Sequence, residues 1–130
     1  VHRLESSWIF LHDVKGFCTA IHDITNIQLF ITNFGSVIND QTTGFTLGNS
    51  DNGKIIVINS ASATTITVPS LSVGFNCMIV QRGAGQVTLS ASGVTISNRY
   101  GFNKTAGQSS IITLVCIASG VYIASGDMTN

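Results

Sequence analysis

From residue 54 onward the chain is built of short runs in which apolar and polar side chains alternate, separated by small polar turns. Thr64 to Val68 puts Ile66 and Val68 on one side and Thr65 and Thr67 on the other, the period-two signature of a half-buried strand. Gln86 to Ala91 does the same, with Val87 and Leu89 flanking Thr88. Phe75 to Gln81, Val94 to Ser97 and Val121 to Ala124 are predicted as further strands. Two runs break the alternation by being apolar throughout. Lys54 to Ile58 reads as a strand buried on both faces. In Ile111 to Ile117, the longest apolar run, Ile111, Val115 and Ile117 point one way, with Thr113 among them, and Ile112, Leu114 and Cys116 point the other. One face of that strand can meet a core, and the other then needs a subunit interface or a closed barrel to cover it. Burying such side chains is worth roughly 1.5–3 kcal/mol each.

The punctuation between these runs is clear. Ser50-Asp51-Asn52-Gly53 is a turn, because Asn and Gly tolerate positive φ and Asp bonds its own backbone. Pro69 cannot donate to a ladder and ends the strand before it or marks an edge. Gly83-Ala84-Gly85 is read as a hairpin turn, and Ser92-Gly93 and Ser119-Gly120 as further turns. Arg99 to Thr105 is ambiguous, with Tyr100 and Phe102 on one side if it is extended. Strands every 8 to 12 residues or so, with turns between, predict an all-β fold, specifically an antiparallel, jelly-roll-like β-sandwich over residues 44–130. No strict repeat of the kind that marks a solenoid or propeller is expected.

Residues 1–43 have a different texture. They hold Trp8, Phe10, Phe17, Phe30 and Phe34 and all three histidines. Trp8 to Val14, Phe17 to Ile24 and Ile27 to Thr32 are rich in β-branched and aromatic residues, with turns at Lys15-Gly16 and Thr25-Asn26, and predict a three-stranded meander. Ile24, Ile27 and Ile31 also fit helical spacing, but β-branching favours strand. This β-rich segment is expected to act as an anchor, joined through a connection at Asn33 to Gly48.

Composition changes the picture in one respect. Only 9% of the 130 residues are charged, against about 25% in ordinary soluble domains, while hydrophobic content is 44%. Ser, Thr, Asn and Gly take the place of the missing charge. A surface this poor in charge repels its neighbours weakly, which implies that other subunits cover much of it. The formal net charge of zero offers no basic field for nucleic acid, and no basic amphipathic face suggests a membrane partner. The three cysteines, Cys18, Cys77 and Cys116, sit among apolar residues and read as buried free thiols of a reducing compartment. The first residues lack the basic-then-apolar layout of a secretory leader.

Candidate chemistry is sparse. His12, Cys18 and His22 are the only grouping that suggests a metal site, yet Cys18 and His22 on one strand would sit roughly 13 Å apart, and the paired spacing of zinc ligands is missing. No metal or other cofactor is expected. No G-x-S-x-G elbow occurs. Carboxylates are few: Glu5, Asp13, Asp23, Asp40, Asp51 and Asp127. His12-Asp13 and His22-Asp23 are adjacent pairs whose side chains would leave a strand on opposite faces, so neither forms a dyad. No catalytic residue is assigned. Trp8, Tyr100 and Tyr122 could stack on sugar faces, although aromatics in β proteins more often fill the core.

Five segments in combination carry a resemblance: TTITVPS, GFNCMIVQRGAGQVTL, GVTI, KTAGQ and ITLVCIASGVYIASGD. Across about residues 50–127 the chain resembles a β domain of tailed-bacteriophage virion proteins of the tail-fibre or capsid-decoration type. The resemblance implies a non-enzymatic structural component of the virion (a capsid decoration or cement protein, head fibre or tail fibre). It also implies a homotrimer in contact with other capsid or tail proteins, assembled in the cytoplasm of the bacterial host. A tail-fibre tip that binds a host surface glycan is the alternative. No catalytic or binding residue carries over with it.

Overall fold

A computed structural model of the protein describes residues 35–130. Eleven strands make up this region: β1 (Ile38–Gln41), β2 (Phe45–Thr46), β3 (Ile55–Ile58), β4 (Thr64–Val68), β5 (Asn76–Gln81), β6 (Val87–Ala91), β7 (Thr95–Ser97), β8 (Lys104–Thr105), β9 (Ile111–Ala118), β10 (Val121–Gly126) and β11 (Met128–Thr129). The one helical element among the described residues is a 3-10 turn at Asn49–Asp51. The strands form a six-stranded sheet in the order β1-β3-β5-β9-β10-β7 and a five-stranded sheet in the order β11-β8-β6-β4-β2. The all-β expectation therefore holds. The meander expected over Trp8 to Thr32 lies outside the described residues; β1, which pairs in parallel with β3, falls in the connection expected at Asn33 to Gly48.

The antiparallel jelly-roll expectation does not hold. Both sheets are mixed, and β1, β3 and β5 are parallel neighbours, as are β2, β4 and β6. The chain passes from one sheet to the other and back, laying each strand beside its predecessor in the manner of a solenoid. Ile55 lies beside Met78 and Thr64 beside Val87, the same 23-residue step in both sheets. The segments IIVINSASATTITV and MIVQRGAGQVTLSA are thus successive coils, a repeat of pattern rather than identity. Alternation reveals a strand and its buried side, but it is the same for parallel and antiparallel neighbours. Turn residues likewise mark a bend without saying whether the chain reverses or crosses over.

Gly83-Ala84-Gly85 shows the difference. It is not a hairpin: it carries the chain from β5 in one sheet to β6 in the other. The corner rests directly on the corner of the preceding coil, with Gly85 N–H donating to Ser60 O at 2.8 Å and Arg82 N–H to Ile58 O at 2.9 Å. A Cβ on Gly83 would overlap the Ser60 carbonyl, and one on Gly85 the Ser62 carbonyl. Asparagines tie the opposite corners together: Asn49 Oδ1 accepts from Ser72 N–H at 3.0 Å, and Asn52 Oδ1 from Asn76 N–H at 3.1 Å. Side-chain amides thus satisfy backbone donors that no ladder reaches.

After β6 the winding gives way to a different arrangement. β9 runs antiparallel to β5, and β9 and β10 form a true hairpin through Gly120, whose φ of 68° a side chain would resist. β7 then adds in parallel to β10. Between the sheets lies one core, with Ile56, Ile58, Ile79, Ile112, Leu114 and Tyr122 from one side facing Ile66, Val68, Val87 and Leu89 from the other. Of the run expected to be buried on both faces, Ile56 and Ile58 are buried completely and Ile55 and Val57 only in part. Where β5 ends the core turns polar: Thr105 Oγ1 donates to Gln81 Oε1 and accepts from Val87 N–H, and Gln81 Nε2 donates to Gly83 O. Every one of these groups is partnered, so the cost of burying them is met.

Candidate assembly surface

The strands of the six-stranded sheet turn one side to the core and the other outward. Register places the outward residues in rows: Ile38, Ile55, Met78, Thr113 and Ser125 in one, and Asp40, Val57, Val80 and Ile111 in the next. A third row runs through Asn76, Val115, Ile123 and Ser97. Most of these residues are aliphatic, and the sole ionised group is Asp40 on the edge strand. Ile55, Val57, Val80 and Val115 are half-buried within the chain, and the remaining apolar side chains are exposed. Ile38 is 49% exposed, Met78 45%, Ile111 51%, Ile117 54% and Ile123 39%. The doubly apolar reading of Ile111 to Ile117 is thus realised: Ile112, Leu114 and Cys116 are fully buried, while on the other side Ile111 and Ile117 are exposed and Thr113 and Val115 half-buried. Sequence reasoning found this strand but not its companions. Met78 joins it through the antiparallel β5–β9 pairing, and Ile55 and Ile38 follow through the parallel register; the 23-residue step is the signal that would have placed Ile55 beside Met78.

The outward side of the five-stranded sheet has the opposite character. Its rows are Thr46, Thr67 and Ser90, and Thr65, Thr88 and Lys104. These hydroxyls keep β-branched geometry at most positions while remaining wettable.

Other candidates resolve less productively. Tyr122 is not a sugar platform: it is fully buried, its phenol donating to Pro69 O at 2.7 Å and accepting from Leu71 N–H at 3.0 Å. Tyr100 is 66% exposed, with the Arg99 guanidinium 5.4 Å from its ring centre and Phe102 5.5 Å away. Asn98 builds this loop, its Oδ1 accepting from Tyr100 and Phe102 N–H and its Nδ2 donating to Ala124 O. Asp51 is a buried structural acceptor for Asn39 Nδ2 and Gly48 N–H, both at 2.9 Å. Asp127 accepts from Ser110 Oγ at 3.2 Å. Trp8, His12, Asp13, Cys18, His22 and Asp23 lie outside the described residues.

Cys77 and Cys116 are free and buried, as expected. Burial, and secondarily the Asp51 carboxylate, pushes the Cys77 thiol up to about 12, so at neutral pH it is an inert thiol. A depression of about 240 Å³ lies among Asn49, Asn52, Ser72 and Phe75, but the two asparagine carbonyls are already bonded to the next coil. Among the described residues no three His, Cys, Asp or Glu side chains gather into a metal-binding group, and no helix is long and apolar enough to cross a membrane. What the described residues assemble is a largely apolar face. Compared with known proteins, the chain matches no family model and has no significant match among curated sequences.

Proposed function

We propose that this protein is a non-enzymatic structural component of a tailed-bacteriophage virion, a capsid decoration, head fibre or tail fibre protein that works as a homotrimer. The observation that carries the proposal is the bare aliphatic face of the six-stranded sheet. Contiguous apolar patches beyond a few hundred Å² are rare on monomers and mark interaction surfaces. A chain with 9% charged residues has little else with which to keep such a face apart from its neighbours. The resemblance of residues 50–127 to virion β domains supports the same reading, and assembly would take place in the bacterial cytoplasm with other capsid or tail proteins as partners. Light scattering on the purified chain, together with co-sedimentation with phage particles lacking it, tests the proposal. A stable monomer with no affinity for capsid or tail would refute it.

The second reading is a carbohydrate-binding tip, favoured by the exposed Tyr100 beside Arg99 on a loop held rigid by Asn98. An aromatic face with an adjacent donor suits a pyranose ring. A glycan array that is silent for the wild type, with host adsorption unchanged by Tyr100→Ala, would dispose of it.

A further inference from the structure

We infer that the outward face of the six-stranded sheet is the surface through which copies of this chain bind one another, with Met78 and Ile111 at its centre. The inference rests on the structural-component reading and adds to it the identity of both the surface and its occupant.

Size is the first argument. Five strands at roughly 4.8 Å spacing, each presenting about 18 Å of length, give a face on the order of 400–500 Å² in flat projection, and side-chain relief enlarges the accessible area beyond that. A standard interface takes about 800 Å² from each partner. The face is therefore large enough to supply the central part of a stable contact, with its rim supplying the rest.

Charge is the second argument, and it selects the occupant. Apart from Asp40 on the edge strand, the outward positions of this sheet carry no ionised side chain. An unlike partner would find no charge to complement, whereas a second copy meets no like-charge penalty. Relief is the third. Met78 stands 45% exposed, while its row neighbour Thr113 on β9 is shorter and half-buried. A knob beside a hollow in one face is what a symmetric contact needs, because each copy offers both. The hollow is a depression lined by Ile55, Asn76 and Thr113 beside Met78, and in a closed ring of three Met78 of one copy enters the hollow of the next.

Light scattering over a dilution series of the full chain tests this. The wild type should have the mass of three protomers. Met78→Lys combined with Ile111→Lys should give a monomer with an unchanged circular dichroism spectrum, because both positions are solvent-open within the chain. Thr65→Lys combined with Ser90→Lys, on the other sheet, should leave the assembly intact. Should the double lysine variant misfold, Ile117→Asn provides the second reading, with a dissociation midpoint raised roughly tenfold or more. Assembly that survives both sets of substitutions on this face would overturn the inference and leave the structural-component reading standing. A wild-type monomer that still binds the particle would do the same. A wild-type monomer without particle affinity would remove both.

Discussion

The two sheets share a core and differ in what they show to the outside. The five-stranded sheet presents Thr46, Thr65, Thr67, Thr88 and Ser90, and the six-stranded sheet presents Ile38, Ile55, Met78, Val80, Ile111 and Ile123. Thr, Val and Ile are all β-branched, so strand propensity does not distinguish the two faces. The difference is one of hydration. A threonine face gains little by being covered, while each isoleucine exposed by about half retains roughly 0.7–1.5 kcal/mol that a partner can release. Two faces made with the same backbone preference thus have different fates, one suited to water and the other to assembly.

The sharpest way to probe this contrast uses neighbouring residues of one strand. Ile112→Ala, on the core side of β9, should cost about 3 kcal/mol in urea unfolding of the dissociated chain, through lost transfer energy and a residual cavity. Ile111→Thr, one residue away on the bare side, should change the same measurement by less than about 0.5 kcal/mol. A large effect at Ile111 would mean that its side is covered within the chain, and the contrast between faces would fail.

The contrast also depends on the corners that hold the coils in register. Gly85→Ala drives a methyl group into the Ser62 carbonyl and should cost about 1–3 kcal/mol. Gly53→Ala, where a Cβ meets open space but φ is 76°, should cost about 1 kcal/mol through backbone strain alone. Equal losses at the two sites in thermal melts would show that the corner is not stacked as described.

Alkaline pH gives a smaller, graded test of the interior. The Cys77 thiol is raised to about 12 from an ordinary value of 9.0, so the protonated form is favoured in the folded state. Its contribution is complete below pH 9 and is lost as the pH rises from 9 towards 12. Stability should fall by about 1 kcal/mol by pH 10, and Cys77→Ala should remove that part of the slope while lowering stability at neutral pH. A slope unchanged in the variant would show that Cys77 is not shielded. Smallest of all, Thr65→Lys and Ser90→Lys should alter unfolding by no more than about 0.5 kcal/mol each, as expected of a face already in water.

Much of this was legible in the sequence. The strands from Thr64–Val68 to Val121–Gly126 lie where alternation placed them to within a few residues, because period-two burial is a local property written into each run. The 3-10 turn and Gly53 appear where Ser50-Asp51-Asn52-Gly53 placed a bend. The bare side of β9 was foreseen from seven consecutive residues, since a strand apolar on both sides cannot satisfy both with one core. That Tyr122 fills the core was the favoured reading for an aromatic in a β protein, but its partner was not readable, because the Pro69 carbonyl that accepts its hydrogen bond is 53 residues away.

What the sequence determined by itself, then, was the longer strands β3 to β7, β9 and β10, their core-facing sides and the existence of one excess apolar surface. Only the tertiary structure decided that β3 and β5 lie parallel, that Gly83-Ala84-Gly85 crosses between sheets, and that Ile38, Ile55 and Met78 join Ile111 in one plane. The physical reason is that a strand's pattern records which of its sides avoids water, whereas its neighbours and their direction are set by hydrogen bonds between backbones. Those groups are the same in every residue but proline, and so leave almost no mark on the sequence.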